Sequence, residues 1–244
     1  MLTNLRQQEA LIDQIAANME EKGYQGLDVD FEFIPAAQRE DYVQFIHRLH
    51  DRLSPMGYPV IVALAPKTYA GQPGLLYEAH DYAALGAAAD FVLLMTYEWG
   101  YTYGPPMAVA PLPNVRQVLD YAVTEIPREK IYLGIPNYGY DWPLPFEQGT
   151  TRAQSISNQE AVAIAVRSGA EILYDEQAQS PWFRYTAPDG AEHEVWFEDA
   201  RSMSAKLRLI REYDLYGAGY WNLMRPYPQG WVVLNALYDV NDAE

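Results

Sequence analysis

The chain contains no cysteine, which removes disulfides, thiolate metal sites and cysteine nucleophiles together. Basic residues are scarce: 17 Lys and Arg stand against 33 Asp and Glu, a formal net charge of −16. A field of that sign repels phosphate backbones and anionic bilayers, so nucleic acid and a charged membrane surface are poor partners and a neutral ligand is the least constrained. No apolar run approaches the ~20 residues of a membrane span. The opening MLTNLRQQEALIDQIAANMEEKG has no basic segment followed by an apolar one, so no signal peptide is read there. Sequence repeats and low-complexity tracts are also missing. Aromatic residues, by contrast, are plentiful: 20 Tyr and 6 Trp among 244 residues. Such rings offer a stacking face with a polar edge, the chemistry that binds sugars, although a large aromatic core accounts for them more simply.

The hydrophobic pattern alternates between helix and strand. Leu11, Ile12, Ile15 and Met19 recur at helical spacing before Gly23, and Tyr42, Phe45, Ile46, Leu49 and Leu53 form a second helical stripe. PVIVALAPK, FVLLMTYEW, IYLGIPNYGY and YGAGYWNL are continuous apolar runs, each read as a strand buried on both faces, with helices between them. With GLDVDFE they make five strands, beginning near residues 26, 59, 91, 131 and 216, and predict an α/β architecture of parallel β/α units. One segment breaks the rhythm. Between Phe146 and Arg201 lies a helix opened by a Ser157/Glu160 capping box, followed by short hairpin-like strands around Pro188-Asp189-Gly190. This predicts a small α+β insertion. The proline-rich YGPPMAVAPLP reads as a long loop.

Within Gly26–Glu32, Asp28, Asp30 and Glu32 alternate with Leu27, Val29 and Phe31. In a strand the three acids share one face, and the apolar set packs under the helices. Like charges gathered at a strand end are costly unless they share protons, hold a metal or serve catalysis. The bland alternative pairs them with Arg or Lys at an exposed edge. As a metal site they need further Asp, Glu or His from other strands, but those strand ends carry mainly Tyr97, Trp99, Tyr138, Tyr140, Tyr220 and Trp221, with Glu98 the acid among them. One acidic strand in an aromatic-lined cavity suits a sugar better than a hydrated cation. No metal and no cofactor is expected.

GLDVDFE, MTYEW, LGIPNYGY and GAGYWNL, in that order, resemble the family 18 glycoside hydrolases, chitinases and related N-acetylglucosaminidases, with the bacterial cell-wall and spore-cortex subgroup nearest. VWFEDARSMSAK resembles the end of the small domain that many members carry. The resemblance implies a TIM-type (β/α)8 barrel lacking its first three β/α units, with strands four to eight present. It places strands four to seven in 1–146, the α+β insertion in 147–201, and the last helices with strand eight in 202–244. The chain is then expected to begin in the helix that feeds the fourth strand.

That family forms a substrate-assisted exception to the two-carboxylate rule of glycoside hydrolysis. By resemblance Glu32 is the general acid and base, Asp30 orients the 2-acetamido group, and Asp28 supports Asp30. Tyr97 hydrogen-bonds the acetamido oxygen and Trp221 lies beneath the reacting sugar. Met95, Glu98, Tyr138 and Asn222 line the pocket. The implied partner is a glycan containing N-acetylglucosamine, in peptidoglycan or a chitin-like polymer. The implied location is the cell envelope, the spore or outside the cell, with wall-binding modules outside this chain. Two departures stand out: Gln25 occupies a position usually Asp, and Glu98 replaces an Asp. A non-catalytic sugar-binding protein on the same fold and a metal-dependent hydrolase are the rival readings. His47 and His50, three apart on a helix, lack a third ligand, and Lys67 is read at the pocket mouth as a substrate contact or an acid's partner.

Overall fold

The computed structural model describes residues 1–240. In chain order it contains α1 (Leu5–Lys22), β1 (Leu27–Val29), α2 (Arg39–Leu53), β2 (Val60–Leu64), α3 (Tyr82–Ala88), β3 (Phe91–Leu94), α4 (Leu112–Glu125) and β4 (Ile131–Pro136). There follow β5 (Gly139–Pro143), β6 (Gln154–Ile156), α5 (Asn158–Ser168), β7 (Leu173–Asp175), β8 (Ser180–Thr186), β9 (Glu192–Trp196), α6 (Ala200–Glu212), β10 (Gly217–Trp221) and α7 (Pro228–Leu237). The five predicted main strands lie in one sheet, in the order β1-β2-β3-β4-β10, with β1 to β4 paired in parallel. A separate antiparallel sheet runs β6-β5-β9-β8-β7. The chain divides into two compact units. The first is Met1–Met95, Gln117–Leu133 and Tyr213–Gly217; the second is Thr96–Arg116, Gly134–Glu212 and Ala218–Glu244.

In the first unit the sequence periodicity becomes packing directly. Asn4 caps α1 by accepting from the Gln7 amide at 3.2 Å, and Gly23 ends it in the left-handed conformation, φ 71°, returning its N–H to Met19 O. Ile12, Ala16 and Met19 face inward from α1; Tyr42, Phe45, Ile46, Leu49 and Leu53 do so from α2. Each such large side chain contributes roughly 1.5–3 kcal/mol of burial. Val60, Val62, Ala63 and Leu64 of β2 are all buried, as expected of a parallel strand covered on both faces. Lys130 closes α3 by donating from Nζ to Gly86 O at 3.0 Å and Ala89 O at 2.8 Å, satisfying carbonyls that the helix end leaves open.

The second unit is built around the antiparallel sheet. The predicted single strand IYLGIPNYGY is in fact two, β4 and β5, broken at Asn137, whose amide donates to Trp221 O at 2.8 Å. The antiparallel sheet therefore reaches back to Gly139. A side chain there would strike Trp196 O, so β5 can lie against β9 only with glycine at this point. Beyond it the period of two sorts the residues: Tyr140, Trp142 and Trp196 pack on one face, while Phe183, Val195 and Phe197 pack on the other with Ala161, Ile164 and Ala165 of α5. Ser157 caps α5 by accepting from Glu160 N at 3.0 Å, as its sequence predicts.

Candidate active site

The acidic segment lies in the first unit. Strand β1 ends at Val29, so Asp28 stands on the strand and Asp30 and Glu32 on the extension beyond it, shorter than the predicted strand. Phe31 packs as expected, stacked on Tyr42 and Phe45 of α2 at 5.9 and 5.7 Å between ring centres. The main-chain oxygen of Phe31 meets His80 Nε2 at 2.9 Å, and His80 Nδ1 accepts from Ala65 N at 2.8 Å, which tethers the segment to the end of β2. Asp28 and Asp30 make no hydrogen bond or ion pair among the described residues, so the paired-edge alternative does not describe them. Loss of hydration raises both carboxyls above their usual value, and for Asp28 the charge of Asp30 adds to the rise. Tyr42, fully buried behind them, has its phenol pushed up by burial and then by Asp30 and Asp28.

Lys67 corrects its sequence reading. It is 1% exposed, and its ammonium donates to Ala70 O at 3.0 Å and His80 O at 2.9 Å, a brace between loop backbones rather than a group at a pocket mouth. Met95, also in the first unit, is buried, with its amide on Leu64 O at 2.9 Å. His50 meets Asp90 at 3.3 Å, and no cluster of three or more metal-ligating side chains occurs among the described residues.

In the second unit Glu98, Tyr138, Tyr140, Ser155, Trp221, Asn222 and Arg225 line a cavity of about 220 Å³. Glu98 Oε1 accepts from Tyr138 Oη at 2.5 Å and Tyr140 Oη at 2.9 Å. Burial, then this carboxylate, drives the Tyr138 phenol far up and pushes Tyr140 up to about 12. Both therefore remain donors throughout the physiological range. Glu98 itself has φ 69°, a backbone conformation costing on the order of 1–3 kcal/mol for a non-glycine residue. It is held there by Trp99 N and Gly100 N, which donate to Val109 O and Ala108 O at 3.0 Å each. Tyr97, half-buried, packs on the Tyr138–Tyr140–Trp142 cluster. Trp221 leaves 55% of its surface open, an available indole face. Asn137 Nδ2 donates to Asn222 O at 3.1 Å and Arg225 O at 2.7 Å, fixing the backbone after β10.

Four sequence-selected residues, Glu98, Tyr138, Trp221 and Asn222, thus share one cavity, and Tyr97 adjoins its tyrosines; Asp28 and Asp30 form a second group with Glu32 following. Tyr140, Ser155 and Arg225 were not selected. Tyr140 carried a signal, two residues after Tyr138 on one strand face; Arg225 carried a fainter one, as the sole Lys or Arg after Arg211.

The model of the glycosyl hydrolases of family 18 matches residues 1–225. The chain is 48% identical over 230 residues to the cortical fragment-lytic enzyme of Bacillus subtilis, covering 94% of this chain and 53% of that protein. The crystal structure of the Bacillus megaterium spore cortex-lytic enzyme SleL superposes with a TM-score of 0.95 at 44% identity, over 100% of this chain and 56% of that one. A chitinase from Chromobacterium violaceum gives a TM-score of 0.87 at 30% identity, over 95% and 71%. The chain spans about half the length of the curated relatives it matches. No helix among the described residues is long and apolar enough to cross a membrane.

Proposed function

The chain belongs to the glycosyl hydrolases of family 18, and on that footing we propose that it cleaves β-linked glycans containing N-acetylglucosamine, in peptidoglycan or a chitin-like polymer, by a substrate-assisted retaining mechanism. Glu32 donates its proton to the glycosidic oxygen as the C1–O bond breaks. The carbonyl oxygen of the sugar's own 2-acetamido group attacks C1, so the nucleophile comes from the substrate and the intermediate is a cyclic oxazolinium ion. Glu32, now a carboxylate, takes a proton from water as that water opens the ring, restoring the starting stereochemistry and the starting acid. Asp30 holds the acetamido group in its attacking orientation and Asp28 shares a proton with Asp30. Tyr97 donates to the acetamido oxygen, Trp221 supports the sugar face, and Met95, Glu98, Tyr138 and Asn222 complete the pocket. Neither a metal nor a cofactor enters this scheme.

The observation that carries this reading is the state of Asp28 and Asp30: two adjacent carboxyls without a partner among the described residues, both held above their ordinary range. Carboxyls kept in that state suit proton sharing beside a general acid. We further read the parallel sheet as strands four to eight of a (β/α)8 barrel, interrupted by an insertion over 147–201 between parts 1–146 and 202–244. The names of the relatives support action at a spore or cell envelope.

The test is hydrolysis of a chromogenic chito-oligosaccharide and of purified peptidoglycan by the chain and its Glu32→Gln variant, with and without EDTA. The expected result is turnover indifferent to EDTA and reduced ~10²–10⁴-fold in the variant. Turnover abolished by EDTA would replace this mechanism with a metal-dependent one. Glycan binding without turnover by either protein would make the chain a sugar-binding module on the same fold.

A further inference from the structure

The cavity of the second unit has one feature that a neutral sugar does not call for. Among its lining residues Arg225 is the sole cation, in a chain whose formal charge is −16. Its guanidinium is anchored by one nitrogen: Nη1 donates to Ser155 Oγ at 2.8 Å and Ile156 O at 2.9 Å. Its central carbon lies over the Tyr138 ring, 5.8 Å from the ring centre, and the Arg225 carbonyl is pinned by Asn137 Nδ2 at 2.7 Å. Glu98, the one acid lining the same cavity, is already bound by two phenols and forms no ion pair with Arg225 among the described residues. Nε and Nη2 make no hydrogen bond to the described residues. The result is a guanidinium held by its anchored nitrogen near the Tyr138 ring, with donors to spare beside an open indole.

A guanidinium held this way matches a carboxylate through two parallel N–H···O bonds, a fit that a hydroxyl or an acetamide does not reproduce. We propose that Arg225 is a specificity-determining residue that selects glycans bearing a free carboxylate substituent, as the lactyl ether of a muramic sugar provides where it carries no stem peptide, over uncharged N-acetylglucosamine polymers. The inference rests on the glycosidase reading for its choice of ligand, and it narrows that reading to the acidic member of the two substrate classes. Because the cation is fixed in the free protein, little ordering entropy opposes the contact.

The experiment compares three ligands on the full chain: a peptidoglycan-derived tetrasaccharide with free lactyl carboxylates, the same compound with those carboxylates converted to methyl amides, and chitotetraose. Dissociation constants by calorimetry and kcat/KM are measured for wild type, Arg225→Lys and Arg225→Gln. The readout is a ratio, the preference for the acid over its own amide. Charge-assisted bonds of this kind are worth roughly 10–100-fold. Wild type should prefer the acid by about that factor, Arg225→Gln should bring the ratio to about one, and Arg225→Lys should fall between, keeping the charge but losing the fork. Raising salt should erode the preference in wild type and leave the Gln variant's ratio unmoved. A wild-type ratio of one, or a ratio that survives Arg225→Gln, overturns the proposal. So does an equal loss for all three ligands, which would mark Arg225 as a brace between the β10 loop and β6. Binding preference without turnover by wild type would retain this inference while removing the glycosidase reading, so the two fail separately.

Discussion

The inner acids of the second unit and the acidic segment of the first are treated in opposite ways. In the second unit each one that goes inside finds partners. Glu198, fully buried, meets Lys206 at 2.9 Å; Asp141 is held by His193 and Tyr185 at 2.7 Å each; Glu194 is held by Arg184 at 2.7 Å and by Trp196 Nε1 at 2.8 Å. Glu98, more open, still takes two phenols. In the first unit Asp28 and Asp30, more open at the end of β1, have no such partner among the described residues, and partial loss of hydration, joined for Asp28 by the charge of Asp30, holds both carboxyls above their ordinary value. The paired acids are part of the architecture, whereas Asp28 and Asp30 are held toward protonation without a bond that builds the fold. The contrast separates the groups proposed for chemistry from those that build and line the pocket.

The strongest way to break that contrast is to unpair an acid that is now paired. Lys206→Met leaves Glu198 buried with no counter-charge, although burial already pushes its carboxyl up against the pull of Lys206. Removing one member of a buried pair costs roughly 3–5 kcal/mol. For a chain of this size that corresponds to a fall of about 6–20 °C in thermal midpoint. The double variant Glu198→Gln/Lys206→Met should recover much of the loss. Scanning calorimetry of both decides the matter: equal midpoints for the single variant and wild type would mean that the pair is not a structural clamp.

How much of this was legible in the sequence follows from the kind of force involved. Helical stripes such as Tyr42–Phe45–Ile46–Leu49–Leu53 and the buried run of β2 are set by local periodicity, and they fold as the pattern predicts. GLDVDFE was readable because a period of two needs no partner to be noticed. The break between β4 and β5 was not: the run is apolar throughout, and it ends at Asn137 because that amide bonds to Trp221 O, 84 residues downstream. Lys67 departs from its sequence pattern for a similar reason, since its ammonium is held by the carbonyls of Ala70 and His80 and not by its neighbours at the end of β2. Arg225 escaped selection because one basic residue after a strand has no pattern; its meaning lies in Ser155 and Tyr138, which only the fold brings near.

A second test works in the first unit by neutralising an unpaired acid. The Asp28 carboxyl sits above 3.8 in the folded protein, so the fold binds that proton more tightly than the unfolded chain does. Stability therefore falls as pH rises from the unfolded value through the raised folded one, and the whole penalty stands once the pH is above the latter. Asp28→Asn should accordingly melt higher than wild type at pH 7. The advantage should shrink on acidification and vanish below about 3.8, where wild type is protonated as well. If Asp28 serves Asp30 in the reaction, the same variant loses activity while gaining stability. A variant that loses both would put Asp28 among the structural acids and erase the distinction.

The smallest effect expected comes from thinning the partners of Glu98. Tyr138→Phe removes the donor at 2.5 Å but leaves Tyr140 at 2.9 Å on the same oxygen, so the carboxylate keeps a hydrogen bond and the cavity keeps its aromatic wall. One bond of this kind is worth about 1 kcal/mol net, which is a several-fold rise in KM with kcat nearly unchanged. Steady-state kinetics on chitotetraose supply both numbers. A fall in kcat on the scale expected for Glu32→Gln would mean that Glu98, for all its partners, takes part in the chemistry. A change confined to KM keeps it where its geometry puts it, as a satisfied carboxylate that shapes a pocket.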